Sequence, residues 1–170
     1  MGTDLSKTNN SKYITTDPSG ISRCSDEFAR KLFDNYDLDR NQSIDAEELV
    51  KALTQLGQNM DDAAIEKLTS IIAVVDENEN QVLEFDEFRN FLYTFLNAKT
   101  DDIKSILFFS YDWDQSATID QNELYLILKR LGCTVDKEQI NLLTKQVSDN
   151  VDNTFSYHEF LKLMEKLGVK

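Results

Sequence analysis

Apolar residues recur along this chain at the three- and four-residue spacing of helices, in short runs separated by acidic, polar stretches. Ser25, with Asp26 and Glu27 in the first turn, predicts a helix to about Tyr36 with Phe28, Leu32 and Phe33 on its apolar stripe. Leu49, Leu53 and Leu56 predict a second, stopped at Gly57. A third is predicted over Asp61 to Val75, with Ile65, Leu68, Ile71 and Ile72 inward, and a fourth from Phe85 carries Phe88, Phe91, Leu92 and Phe95. The same sequence of signals then repeats. Thr100 is the predicted cap of a fifth helix, with Asp101 and Asp102 at its positive end and Ile103, Leu107 and Phe108 following. Leu124, Leu128 and Leu131 precede a stop at Gly132, then come Ile140, Leu142, Leu143 and Val147, and finally Phe160, Leu161, Met164 and Leu167.

The pattern predicts an all-α protein of two lobes, residues 25–95 and 101–170, each with two helix-loop-helix units. Residues 96–100 are the linker, read either as a hinge or as one helix continuing between the lobes. Residues 1–24 lack periodicity and hold the only proline, Pro18, which predicts a flexible polar arm.

The polar stretches carry the chemistry. In the first, oxygen-bearing side chains stand at positions one, three, five, nine and twelve of a twelve-residue loop: Asp37, Asp39, Asn41, Asp45 and Glu48. Ser43 at position seven offers its backbone carbonyl. Six to eight oxygens at about 2.3–2.6 Å are what a hard Ca²⁺ ion requires. The spacing returns as Asp76, Asn78, Asn80, Val82, Glu84 and Glu87, and as Asp112, Asp114, Ser116, Thr118, Asp120 and Glu123. A fourth loop runs Ser148, Asn150, Asp152, Thr154, Ser156 and Glu159. Position eight is apolar each time (Ile44, Leu83, Ile119, Phe155), and these residues are expected to join paired loops through a short antiparallel β-bridge. Chance acidic clusters do not keep such a beat.

Residues 25–167 resemble the calmodulin–centrin branch of the EF-hand proteins, on these loops, their position-eight residues and Leu56-Gly57-Gln58-Asn59. The resemblance implies two to four Ca²⁺ ions, three above all, with Mg²⁺ as competitor. It also implies transmission of ion binding to a target helix or peptide, expected to be basic and amphipathic. Three departures qualify this. Position six, glycine in the family, holds Gln42, Gln81, Ala117 and Asn153. A positive φ there would cost a residue with a Cβ roughly 1–2 kcal/mol. That either weakens each site about 5- to 30-fold or is strain shared with the empty loop. Ser148 stands where the fourth loop needs an aspartate, so that loop is expected to be weak or empty and to brace the third. The expected order of strength is first and third, then second, then fourth. Methionine is scarce, three residues against ten phenylalanines, which suggests a stiff groove and few partners.

The net charge of −13 divides as −9 in residues 1–100 and −4 in residues 101–170; it opposes nucleic acid and favours cations and basic partners. No apolar run approaches a membrane span and no secretory signal is visible. Cys24 and Cys133 fit no metal or disulfide spacing, as expected of reduced thiols in a cytoplasmic protein. Gly2, in Met1-Gly2-Thr3-Asp4-Leu5-Ser6, matches the N-myristoylation pattern, which ordinary starts also satisfy. Modification there would make the protein peripheral to a membrane. Trp113 at position two is expected to be a semi-exposed spectator pointing away from any ion, and His158 at position eleven a surface residue with no part in coordination. No nucleophile motif or phosphate loop is present, so the expected function is a non-enzymatic Ca²⁺ sensor. A buffer, or a centrin-like or phosphatase-subunit-like regulatory protein, is the alternative.

Overall fold

The computed structural model describes residues 13–55, 61–99, 101–147 and 153–169. It divides into two compact units, Met1–Asp101 and Asp102–Lys170. Among the described residues each has four helices and one two-stranded bridge, and the first carries an additional hairpin.

The hairpin is a departure from the sequence reading. Residues 1–24 carry no helical or alternating pattern, yet the described part forms β1 (Ile14–Thr16) and β2 (Ser22–Cys24), paired antiparallel with Thr16 opposite Ser22. Turn chemistry, not hydrophobic pattern, is the reason. Asp17 Oδ1 accepts the N–H groups of Ser19 at 2.9 Å and Ile21 at 3.0 Å, Gly20 supplies φ 88°, and Arg23 Nη1 meets Asp17 Oδ2 at 2.7 Å. The guanidinium, then the Ser19 hydroxyl, hold the Asp17 carboxyl well below the usual carboxylate range.

In the first unit α1 (Asp26–Tyr36) is capped by Ser25, whose Oγ accepts from Phe28 N–H at 3.3 Å, as the sequence predicts. A two-residue strand, β3 (Ile44–Asp45), leads into α2 (Ala46–Gln55); α3 (Asp62–Val75) is followed by β4 (Val82–Leu83) and α4 (Phe85–Asn97). Ile44 pairs with Leu83, both 1% exposed, so the bridge is part of the core. Phe33 meets Phe85 and Phe88 edge-on at 5.6 and 5.5 Å, locking α1 to α4. Leu68 and Ile71 are buried as read from the pattern, but Ile65, in the first turn of α3, is exposed, and so is Phe95 near the end of α4. The helix ends outrun the partners that cover their middles. Leu56 and Gly57 lie outside the described residues.

The second unit repeats the plan. Asp102 is the observed cap of α5 (Ile103–Tyr111), its carboxylate accepting Lys104 N–H at 3.0 Å; the expected cap, Thr100, lies outside the described residues. A carboxylate two residues later serves the positive helix end better than a hydroxyl. Then follow β5 (Thr118–Ile119), α6 (Gln121–Arg130), α7 (Lys137–Val147), β6 (Phe155–Ser156) and α8 (Tyr157–Lys166). Gly132, at φ 77°, ends α6 as predicted. Ile119 pairs with Phe155, both fully buried, and Phe108 packs against Phe160 at 5.4 Å. Leu142 is 55% exposed because it faces away from Ile140; Thr144, one turn after Ile140, takes the inward position. Leu167, one residue past α8, is also exposed.

Candidate metal centre

The three loops from Asp37, Asp76 and Asp112 are wired alike. Each begins where its incoming helix ends: Asp37 N–H still donates to Phe33 O at 2.8 Å, Asp76 N–H to Ile72 O at 2.8 Å and Asp112 N–H to Phe108 O at 3.2 Å. The position-one carboxylate then gathers the turn. Its Oδ1 accepts the position-five N–H (Asn41 3.0 Å, Asn80 3.2 Å, Ser116 2.8 Å) and its Oδ2 the position-six N–H (Gln42 2.9 Å, Gln81 2.8 Å, Ala117 2.9 Å). The position-three side chains of Asp39, Asn78 and Asp114 accept the same position-five N–H at 3.1, 3.0 and 2.9 Å. Side-chain oxygens at positions one and three are thereby turned toward one centre.

Holding the turn requires unusual backbone. Position six is left-handed at Gln42 (φ 68°), Gln81 (67°), Ala117 (65°) and Asn153 (58°). Position four is left-handed too, at Arg40 (60°), Glu79 (57°) and Gln115 (54°), which no residue type there announces.

The closing glutamate belongs to the outgoing helix. Glu48 Oε2 accepts Asp45 N–H at 3.2 Å while Glu48 N–H donates to Asp45 Oδ1 at 2.7 Å. Asp120 and Glu123, and Ser156 and Glu159, form the same reciprocal box, and Glu84 N–H donates to Glu87 Oε2 at 3.0 Å. The other oxygen of the glutamate reaches back across the loop to the position-two N–H: Leu38 at 2.9 Å, Glu77 at 3.1 Å, Trp113 at 3.1 Å. These N–H groups are participants that the spacing of side chains did not reveal. The Trp113 ring is half-buried and His158 is exposed.

Carboxylate oxygens of Asp37, Asp39 and Glu48 lie within 4.8 Å of one another, and so do those of Asp112, Asp114 and Glu123. Three carboxylates at that separation suit a hard divalent cation, and without one they repel. Desolvation, together with the charges of Asp120 and Asp112, pushes the Glu123 carboxyl up to about 7. Ser116 adds a hydroxyl at 3.3 Å from Asp112 Oδ1 and 2.9 Å from Thr118 Oγ1. In the second loop Asp76 Oδ1 and Asn78 Oδ1 meet at the Asn80 N–H, and Asn80 Oδ1 accepts Val82 N–H at 3.0 Å. Of the fourth loop, Thr154, Ser156 and Glu159 are described, and Ser156 Oγ donates to Glu159 Oε2 at 2.6 Å; Ser148, Asn150 and Asp152 lie outside the described residues.

Helix-loop-helix units paired through position-eight strands, with acidic loops closed by a glutamate of the next helix, define the EF-hand class. The chain belongs to the EF-hand family: the EF-hand domain pair matches residues 26–93. It is 31% identical to the calcium-binding protein CML19 of Arabidopsis thaliana over 138 residues, 81% of this chain and 81% of that protein. It is 25% identical to a probable calcium-binding protein CML13 of Oryza sativa over 89% of this chain and 88% of that protein. It is 28% identical to a troponin C isoallergen of Blattella germanica over 81% and 92%.

Proposed function

We propose that this chain is a Ca²⁺ sensor that passes occupancy of its loops to a target protein. The observation that carries the reading is the double attachment of Glu48, Glu87 and Glu123. Each is part of the outgoing helix yet bonded across its own loop, so a change at the loop centre is a change in how that helix is held. Bound there, Ca²⁺ supplies two positive charges and accepts oxygens from both sides of the loop. The ligands are Asp37, Asp39, Asn41, Asp45 and Glu48 with the Ser43 carbonyl in the first loop. Asp76, Asn78, Asn80, Glu84 and Glu87 with the Val82 carbonyl serve the second, and Asp112, Asp114, Ser116, Asp120 and Glu123 with the Thr118 carbonyl the third. The fourth, with Asp152 and Glu159 as its acids, is the weakest. Names of the relatives, calcium-binding proteins and troponin C, support the same reading.

The target is a basic, amphipathic helix, matched to the chain's net charge of −13 and to an apolar face that a sensor uncovers on loading. The chain acts inside the cell and without catalysis; among the described residues no helix is long and apolar enough to cross a membrane. Gly2 lies outside the described residues, and intact-mass measurement after co-expression with an N-myristoyltransferase tests its modification.

Calorimetric titration with Ca²⁺ in the presence of Mg²⁺, followed by a hydrophobic dye, tests the function. Three sites and a Ca²⁺-dependent rise in dye fluorescence are expected. Ion uptake without a dye response would make the chain a buffer, and no heat at millimolar Ca²⁺ would refute both readings.

A further inference from the structure

We propose that the Tyr13–Cys24 hairpin is a clamp that holds the start of α1 to the end of α4 whether or not the neighbouring loops carry an ion. The four-helix plan of a loop pair does not require this hairpin, and the second unit has none among its described residues. Yet it is anchored at both ends. On α1, Ser25 N–H donates to Tyr13 O at 2.8 Å, and the Tyr13 ring stacks on Phe28 at 5.0 Å with 9° between planes. On α4, Asn97 acts as a neighbouring strand would. Its Oδ1 accepts Ser22 N–H at 2.8 Å, and its Nδ2 donates to Ser22 O at 2.8 Å and to Tyr93 O at 2.8 Å. Both N–H groups of one amide are thus committed, one to the hairpin and one to the helix that carries it.

The helix is prepared for this. Phe88 and Phe91 are buried on one side of α4, and Asn90, Tyr93 and Thr94 are buried on the opposite side, continuing to Asn97 at helical spacing. A helix that only closed a loop pair would leave such a polar stripe to water. Here β2 lies along α4 and meets the stripe at Asn97.

Position gives the clamp its meaning. Ser25 and Asn97 are the ends of α1 and α4 farthest in sequence from the loops those helices border, 37–48 and 76–87. Fixing these two ends keeps α1 and α4 as a frame and leaves rearrangement within the first unit to α2 and α3. That last consequence rests on the sensor reading above; the clamp does not.

Amide hydrogen exchange on the full chain, with Ca²⁺ and with chelator, tests it in the wild type, Asn97→Ala and Asn97→Asp. In the wild type, the Ser22 amide is expected to be protected and to change less than about twofold with Ca²⁺. Asn97→Ala should speed its exchange by about tenfold or more in both conditions. Asn97→Asp, which keeps an acceptor for Ser22 N–H but sets a carboxylate against Ser22 O, should fall between. Loss of Ser22 protection on Ca²⁺ addition overturns the proposal, as does an Asn97→Ala protein that exchanges like the wild type. A protected Ser22 beside α2 and α3 amides that ignore Ca²⁺ upholds the clamp and refutes the sensor reading for this unit.

Discussion

Replacing Ala117 by glycine isolates the strain of the loop turn. Ala117 sits at φ 65°, where an L-residue with a Cβ costs about 1–2 kcal/mol. Glycine removes that cost but loses about 0.5–1 kcal/mol through the greater freedom of its unfolded chain. The difference spans about 0–1.5 kcal/mol, and its centre of about 0.75 kcal/mol raises the melting midpoint of a folding unit of this size by about 3–6 °C. Whether affinity also changes depends on what imposes the φ. Ala117 N–H is held by Asp112 Oδ2 at 2.9 Å, with Ser116 N–H on Asp112 Oδ1 and Thr118 N–H on Ser116 Oγ at 3.2 Å on either side. Groups of the chain itself therefore hold the turn, and the strain is expected to be shared by the ion-free and the ion-bound loop. Of the two outcomes open at the level of sequence, shared strain is the one these bonds favour. Ala117→Gly should raise the midpoint in chelator and tighten Ca²⁺ binding by less than about threefold. Melting in chelator and calorimetric titration measure the two quantities. An unchanged midpoint with about tenfold tighter binding would refute the reasoning, because the strain would then arise only on ion binding.

Glu123→Gln removes one of three clustered carboxylates and should lower the calorimetric stoichiometry by one, with affinity in that loop falling about tenfold or more. Phe155→Ala deletes a fully buried ring from the bridge; a loss of about 3–5 kcal/mol in the second unit is expected in denaturant melts, with weaker binding in the third loop although Phe155 contributes no ligand oxygen. The Asp17 carboxyl titrates below the unfolded value of 3.8, so its contribution to the hairpin is complete above that pH and fades as the pH falls below it. The carbon-13 shift of the Asp17 carboxyl should still report the ionised form at pH 3.8, and a half-protonated signal there would contradict the Arg23 pairing.

Most of the frame was legible because it rests on period and spacing. The Ser25 cap, the stop at Gly132 and the pairing of Ile44 with Leu83 and Ile119 with Phe155 all follow from residue type at a fixed distance. What escaped depends on relations that period does not encode. Leu142 fits an apolar run but lies on the far side of its helix, with Thr144 inward. The hairpin is made by one aspartate gathering N–H groups and by an asparagine 75 residues away in sequence. In the loops, the ligand-type side chains were visible, whereas the left-handed Arg40, Glu79 and Gln115 and the N–H groups of Leu38, Glu77 and Trp113 were not. Backbone groups carry no residue-type signal.

On the proposed reading, the fourth loop separates two jobs that the other three combine. Its folding parts are retained: Asn153 holds the left-handed turn at φ 58°, Phe155 is fully buried against Ile119, and Ser156 with Glu159 caps α8. Its charge is what has shrunk, with Ser148 at the position where the other loops place Asp37, Asp76 and Asp112. Asparagine, moreover, is the residue with a Cβ that tolerates the left-handed turn best, so this loop folds with less strain than the third, where Ala117 stands. A loop that keeps its folding parts and has lost acids suits a brace: the bridge it forms with Thr118 and Ile119 rests on strand pairing and on the buried Ile119 and Phe155 side chains. Thr118 is position seven of the third loop, so the brace holds the residue whose backbone carbonyl is the proposed ligand of the third site. If the Thr118 carbonyl is a ligand as proposed, preordering it lowers the entropy lost on binding there.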